Sequence, residues 1–303
     1  MKYMSVKNAA EKWNVSERSV RNYCAEGRIH GAILTGSTWK IPELAEKPKR
    51  KQRAGKVPTD LLTRLKLEKE SGIKGGIYHK VQIELTYNSN HIEGSRLTHD
   101  QTRYIFETNT IGFEDEVLNV DDIVETSNHF KCIDLAIELA NYQLSESFIK
   151  QLHMILKSGT SDSRKAWFAV GDYKRFENEV GGRTTTKPAD VAEEIKRLLK
   201  RYNQSKTKTL QEIIEFHYDF EQIHPFQDGN GRVGRLIMFK ECLRNGIVPF
   251  IIEDDIKEFY YRGLREWKNE QGYLIDTCLT SQDRFKVYMD YFGLTIFRRK
   301  NNE

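Results

Sequence analysis

Apolar residues recur at helical spacing over most of the chain from about residue 60 onward. Segments with this period include VQIELTYNS, VDDIVETSNHFKCIDLAIEL, SESFIKQLHMILKSG and VAEEIKRLLKRYN. One segment differs, because ENEVGGRTTTKP places Gly181 and Gly182 between residues that favour strands. The pattern therefore predicts a mainly α-helical body that contains one β-hairpin.

The first 46 residues predict a different order of elements: helix, turn, helix and hairpin. Helical spacing runs through KNAAEKWN, and Ser16 can cap a second helix, ERSVRNYCAEG, that Gly27 ends. Two short β-type runs follow, IHGAIL and TWKIP, separated by a turn at Thr35–Ser37. This order resembles the winged helix-turn-helix of the excisionase and MerR type, so residues 1–46 are predicted to form such a domain.

The chain between this domain and the helical body is basic and contains proline. Residues 47–60 carry almost no apolar side chains and cannot pack a core, which predicts an interdomain linker. A total of 303 residues accommodates one large and one small domain. We divide the rest into a helical region at residues 61–130 and a core at residues 131–295.

Charge and cysteine content narrow the class of protein. Residues 1–60 contain 13 Lys and Arg against 6 Asp and Glu, whereas the whole chain has a net charge of only +4. This basic front is typical of a nucleic-acid contact. No apolar run approaches the roughly 20 residues of a membrane helix, and no signal pattern opens the chain, so we expect a cytoplasmic protein without a membrane partner. The four scattered cysteines predict buried free thiols.

The strongest chemical signal is the segment HPFQDGNGRVGR at residues 224–235. Pro225 ends one predicted helix, and Gly229 and Gly231 allow a tight turn before the next. A glycine-rich loop that enters a helix directs unpaired N–H groups and the positive end of the helix dipole at one point. The segment therefore predicts a site that binds phosphate.

Charged side chains in the same segment suit nucleotide chemistry. Arg232 and Arg235 lie three positions apart, so their guanidinium groups are expected on one side of the helix. Asp228 is suited to hold Mg²⁺ beside a polyphosphate, and His224 can take a proton near neutral pH. Each residue alone has an ordinary structural explanation, but their combination within twelve residues favours an active site.

The segment matches HPFxDGNGRxxR, the signature of the Fic family, at every specified position. This resemblance implies an all-helical Fic core with a β-hairpin flap and the activity of a protein adenylyltransferase, which moves AMP from ATP to a Tyr, Thr or Ser hydroxyl of a target protein. It implies that His224 is the general base, that Asp228 holds Mg²⁺ and that Phe226 anchors the loop. The nucleotide ligands that it implies are Gly229, Asn230, Gly231, Arg232 and Arg235.

The resemblance also bears on the reaction and on the adenine site. Doc kinases carry lysine where this chain has Gly231, and that lysine reverses the seating of the nucleotide, so glycine favours AMP transfer. In the helix that follows the signature, Tyr260, Tyr261 and Leu264 are candidates for the adenine wall, with ordinary core packing as the alternative.

The glycine-containing hairpin resembles the Fic flap, which binds an extended target segment by strand pairing. A plain surface hairpin is the alternative interpretation. The residues expected to contact the target are Glu179, Val180, Gly181, Gly182, Arg183, Thr184 and Thr185.

Residues 89–94, SNHIEG, match the family's inhibitory pattern (Ser/Thr)xxxE(Gly/Asn). In isolation Glu93 would be a solvated helix end. Upstream of a full signature, the resemblance implies that Glu93 pairs with Arg235 and displaces the γ-phosphate, with Ser89 orienting Glu93. The same glutamate can also position a water that removes AMP.

Several alternatives stay open for partners and activity. On the second helix Arg18, Ser19, Arg21 and Asn22 are expected to face DNA, with Lys40 of the hairpin on phosphates. A winged helix can instead be a docking module, and a homodimer is left open. Besides a self-inhibited AMP transferase, the chain could be a nucleotide-sensing transcriptional regulator or an enzyme that removes AMP through Glu93.

Overall fold

The structure, a computed structural model, describes residues 2–48, 57–112 and 117–296. It divides into two compact units, Met1–Val57 and Pro58–Glu303. Residues 49–56, which belong to the predicted linker, lie outside the described residues.

A small three-stranded sheet and two helices form the first unit. Its elements are β1 (Tyr3–Ser5), α1 (Val6–Trp13), α2 (Glu17–Ala25), β2 (Ile33–Thr35) and β3 (Thr38–Pro42). β3 lies between β1 and β2 and is antiparallel to both. Ser5 and Ser16 cap the two helices by accepting hydrogen bonds from backbone N–H groups. β1 is absent from the sequence prediction because three residues are too few to show a strand period.

The second unit is mainly α-helical, as predicted. Its described helices are α3 (Leu61–Ser71), α4 (Ile77–Ile92), α5 (His99–Thr108), α6 (Val120–Glu138), α7 (Glu146–Lys157), α8 (Pro188–Tyr202), α9 (Leu210–Ile223), α10 (Asn230–Asn245), α11 (Lys257–Glu266) and α12 (Gly272–Tyr291). Two 3-10 turns, Asp162–Arg164 and Asp254–Ile256, and a hairpin of β4 (Glu179–Val180) and β5 (Arg183–Thr184) complete it.

Helix α10 is the centre of this unit. It is buried on nearly all sides and contacts α4, α6, α7 and α9. Gly234 permits the close approach of α9, since a β-carbon there would lie 2.6 Å from Nδ1 of His217. The start of α10, which contains the second half of the signature, therefore packs against its neighbours.

Two further features can be compared with the sequence. Cys24, Cys132, Cys242 and Cys278 are buried and free, as predicted. In the described part of the chain, no helix combines the length and apolar character needed to cross a membrane.

Candidate active site

The loop between α9 and α10 owes its shape to local hydrogen bonds and one buried ring. His224 ends α9 in the left-handed region at φ +50°, and Gly229 opens α10 at φ +82°. Asn230 closes the loop, because its Oδ1 accepts from the Phe226 N–H (2.8 Å) and its Nδ2 donates to the Phe226 carbonyl (2.9 Å). Phe226 is fully buried and stacks on His153 at 4.0 Å between ring centroids.

Two side chains that the resemblance assigns to the nucleotide have partners within the protein. The Asn230 side chain uses both polar groups on Phe226 and braces the loop from within. The Arg232 guanidinium is buried and donates to Glu125 and Asp228. Asn230 thus bonds within its own loop, and Arg232 reaches Glu125 on α6.

A cleft of about 490 Å³ opens over this loop. Its floor comprises His224, Asp228, Arg235 and the first turn of α10. The cleft also contains the three candidates for the adenine wall; the residues along this side are Tyr218, Tyr260, Tyr261, Leu264, Arg265 and Lys268. The cleft thus combines charged and polar side chains of the signature loop with aromatic side chains of α9 and α11.

The end of α4 holds Arg235. Nη2 of Arg235 donates to Oε1 of Glu93 (2.7 Å) and to the Ser89 carbonyl (2.8 Å), and Nε donates to the Ser89 hydroxyl (3.0 Å). The Arg235 side chain is only 3% exposed. Burial alone would lower the pKa of Arg235, but the Glu93 carboxylate raises it above its usual range. Ser89 therefore hydrogen-bonds to Arg235, whereas the family resemblance led us to expect that it orients Glu93.

Asp228 is an ionised carboxylate at the cleft. It accepts from Nζ of Lys157 (2.6 Å) and from Arg232 (3.2 Å). Burial raises the pKa of Asp228, but Arg232 and Lys157 outweigh burial and hold that pKa well below its usual range. Because its side chain is still 46% exposed, this oxygen donor fits a hard cation such as Mg²⁺. Lys157 also pairs with Glu125, and the sequence singles out neither residue since neither belongs to a motif.

His224 lies at the cleft floor beside a second carboxyl group. Burial, aided by the charge of Lys174, lowers the pKa of His224 to about 4, so the ring is neutral at pH 7. Oε2 of Glu221 lies 3.8 Å from Nδ1 of His224. Burial and the charge of Glu93 raise the pKa of Glu221 to about 8. The sequence signal for Glu221 is its i, i+3 spacing to His224, which the motif does not include.

The hairpin lies beside the cleft and is tied to the signature loop. Nζ of Lys174 donates to Asn178 (2.8 Å) and Thr185 (2.5 Å), and Asn178 donates to the Phe226 carbonyl (3.2 Å). Of the predicted flap residues, Val180, Gly181 and Arg183 line the cleft. Glu179, Gly182 and Thr184 are exposed outside its lining.

Parts of the chain resemble known proteins. Residues 143–242 match the model of the Fic/DOC family. The chain is 30% identical over 188 residues to the protein adenylyltransferase Fic of Drosophila mojavensis, a match that covers 59% of this chain and 35% of that protein. The corresponding protein of Drosophila melanogaster gives 30% identity, with 59% and 36% covered. The matched region thus spans little more than a third of the length of these curated relatives.

Solved structures show the same fold. A Fic domain containing signaling protein from Bacteroides thetaiotaomicron aligns with a TM-score of 0.57 and 24% identity, covering 77% of this chain and 91% of that one. Fic-1 from C. elegans aligns with a TM-score of 0.58 and 20% identity, covering 76% and 71%. Residues 143–242, which include the complete signature loop, thus resemble the Fic/DOC family, and the helical fold is shared with these solved Fic structures.

Proposed function

We propose that this chain transfers AMP from ATP to a hydroxyl of a target protein and that Glu93 restrains the reaction. The observation that carries the proposal is the convergence of a neutral imidazole, an ionised carboxylate and a buried guanidinium at the N-terminus of α10. The relatives named protein adenylyltransferase Fic support the same reaction.

In this mechanism neutral His224 takes the proton of the acceptor hydroxyl. The acceptor oxygen then bonds to the α-phosphorus of ATP, and pyrophosphate leaves with the electrons of the broken bond. N–H groups at the start of α10 bind the phosphates, aided by the helix dipole. Mg²⁺, which Asp228 would hold, neutralises phosphate charge when bound.

The flap would present the acceptor. Its strands are short and exposed, with Gly181 and Gly182 at the turn in left-handed conformation. An extended target segment could pair with this backbone whatever its side chains are. Selection of the target would then depend on contacts outside the hairpin.

The restraint by Glu93, the brake, follows from competition between Glu93 and the γ-phosphate for the Arg235 side chain. Glu93 and Ser89 engage Nε and Nη2 of Arg235, and the Glu93 carboxylate neutralises the charge that the γ-phosphate would otherwise attract. Glu93→Gly should raise transfer by about one to three orders of magnitude, since such a pair in a dry site is worth on the order of 1.5–4 kcal/mol. Wild type and variant are compared by the initial rate of labelled AMP transfer from α-labelled ATP at saturating Mg-ATP, onto the chain itself and onto lysate proteins.

Arg235→Ala provides the control. It removes the phosphate ligand together with the partner of Glu93, so Glu93→Gly/Arg235→Ala should transfer far more slowly than Glu93→Gly. Equal rates for wild type and Glu93→Gly would contradict the brake. No labelled protein from any variant would favour the nucleotide-sensing regulator, and AMP release by wild type but not by Glu93→Gly would favour the AMP-removing enzyme.

We further propose that the first unit binds duplex DNA through α2 and the β2–β3 hairpin. Arg18, Arg21 and Asn22 are exposed on α2, and Lys40 is exposed on β3. Ser19 is only partly exposed, and its hydroxyl hydrogen-bonds to Ser16 (2.9 Å). A protein-docking role for the same surface is the alternative, and the salt dependence of the affinity for duplex DNA separates the two.

A further inference from the structure

A carboxyl–imidazole pair lies where α9 ends. Glu221 and His224 are three residues apart on the last turn, with Oε2 of Glu221 3.8 Å from Nδ1 of His224. Their side chains are 12% and 14% exposed. Within the described residues, Nδ1 of His224 has no hydrogen-bond partner, and neither has Oε1, the carboxyl oxygen of Glu221 that is farther from His224. The buried imidazole thus has an unused nitrogen on the side of the Glu221 carboxyl group, which calls for an explanation.

We propose that Glu221 is a positioning residue for His224. Its carboxyl group accepts a hydrogen bond from Nδ1–H and so fixes the tautomer in which Nε2 carries the lone pair. That lone pair takes the proton of the acceptor hydroxyl. This role rests on the AMP transfer proposed above. The present separation exceeds a hydrogen bond by roughly 1 Å. Catalytic hydrogen bonds are often long without substrate and shorten when the reactants bind.

The function of the pair follows from where the proton and the charge go during AMP transfer. When the acceptor hydroxyl loses its proton to Nε2 of His224, the ring becomes an imidazolium with N–H groups at both nitrogens. An ionised Glu221 beside Nδ1–H stabilises that charge, while the acceptor oxygen bonds to the α-phosphorus and pyrophosphate leaves. A carboxylate that fixes the tautomer of a basic histidine has the same role in hydrolase triads.

The surrounding charges connect this pair to the brake. Glu93 at the end of α4 disfavours the charge on Glu221, whereas Arg235 on α10 and Arg183 on the flap favour it. His224 additionally faces Lys174 and Asp228. The neutral polar groups near Glu221 are Tyr260 and Tyr261 on α11 and His217 on α9. Removal of Glu93 should therefore favour ionised Glu221, which would replace Glu93 as the carboxylate that raises the pKa of His224.

The kinetic test uses full-length protein in the Glu93→Gly background. Glu221→Leu removes the acceptor, Glu221→Gln keeps a neutral one of equal size, and Glu215→Gln changes an exposed glutamate on the same helix. For Glu221→Leu we expect kcat to fall about tenfold or more, short of the roughly 10²–10⁴-fold loss of the base itself. KM for ATP should stay within about twofold, because the carboxyl acts on the histidine and not on the phosphates.

The pH profile and the variants must agree. The acidic limb of kcat should move to lower pH in Glu221→Leu, since the imidazolium loses its counter-charge. Glu221→Gln should fall between the parent and Glu221→Leu, and Glu215→Gln should match the parent. An unchanged kcat and pH limb in both Glu221 variants would overturn the proposal.

A second readout does not need activity. ¹⁵N chemical shifts of the His224 ring, assigned by comparison with His224→Ala, report which nitrogen carries the proton. We expect the Nδ1–H tautomer in Glu93→Gly and its loss in Glu93→Gly/Glu221→Leu. The same tautomer in both would overturn the role of Glu221. If Glu93→Gly transfers no AMP, the proposed reaction fails, but these chemical shifts still decide whether Glu221 orients His224. If Glu221→Leu does not fold, Glu221→Gln replaces it in this comparison.

Discussion

At Gly231 a side chain larger than hydrogen has no room while Glu93 holds Arg235. A β-carbon there would lie 2.2 Å from Oε1 of Glu93 and 3.0 Å from Nη1 of Arg235. The backbone at Gly231 does not have a positive φ, so the requirement comes from this close approach and not from backbone strain. The signature glycine is thus needed by the closed ion pair itself.

The residue on which the proposed chemistry depends most is His224. In the Glu93→Gly background, His224→Ala should reduce AMP transfer by about 10²–10⁴-fold, because the acceptor hydroxyl loses its base. ATP affinity should change little, since the imidazole does not bind phosphate in this mechanism. Initial rates and equilibrium nucleotide binding test the two halves of the prediction. Retention of more than about a tenth of the parent rate would exclude His224 as the base.

Among the elements, the last turn of α4 binds Arg235 through three acceptors, two from Ser89 and one from Glu93. Ser89→Ala removes only the hydroxyl contact, whose net worth is about 0.5–1.5 kcal/mol. AMP transfer should therefore rise only about two- to tenfold, well short of Glu93→Gly. The comparison is made by initial rates at saturating Mg-ATP. A variant as active as Glu93→Gly would mean that Ser89, and not Glu93, is the main restraint.

The flap depends on a buried lysine. Lys174 donates to Asn178 and Thr185, and its own N–H donates to the Pro225 carbonyl (2.9 Å). Lys174→Met preserves the length of the side chain but removes the donor, so the hairpin should loosen from the signature loop. Limited trypsin digestion should cut after Arg183 faster than in wild type.

The matched control for this flap experiment is Lys187→Met, which changes an exposed lysine at the start of α8. It should digest like wild type. Equal cleavage after Arg183 in both lysine variants would show that the Lys174 hydrogen bonds do not hold the flap.

For the whole molecule, buried neutral histidines predict sensitivity to acid. Burial lowers the pKa of His129, His153 and His217 to about 3 each and that of His224 to about 4. The unfolded chain protonates these rings near pH 6.5, so it binds more protons than the folded chain below that pH. The stability that these four rings contribute is therefore complete above about pH 6.5 and is lost as the pH falls towards 4.

The expected slope is up to about 1.4 kcal/mol per pH unit for each of these histidines. Unfolding by urea between pH 7 and pH 4.5 measures the change in free energy. His30→Gln, at an exposed position of the first unit, should leave the slope unchanged. A free energy of unfolding that stays constant from pH 7 to pH 5 would contradict neutral burial of the four rings.

The uneven charge of the whole chain predicts salt-sensitive DNA binding. Residues 1–60 hold 13 basic against 6 acidic side chains. Affinity of the full-length protein for duplex DNA should fall steeply between low and physiological salt, and Arg18→Ala should reduce the salt slope by about 1. Lys187→Ala in the second unit is the control. Absence of any gel shift at low salt, for generic and promoter DNA alike, would favour the docking role.

The sequence by itself determined those features that depend on near neighbours along the chain. Helical periods, the glycine hairpin and the HPFxDGNGRxxR loop are recognisable because turns, caps and helix starts depend on a few consecutive residues. The contact between Glu93 and Arg235 was expected only from the family resemblance. The tertiary structure alone decided how the signature side chains are used: Asn230 and Arg232 turn inward, Lys157 from α7 reaches Asp228, and Glu221 is buried beside His224. Burial and charge environment arise from α4, α6 and α7 packing on α10, and such distant contacts leave no local pattern in the sequence.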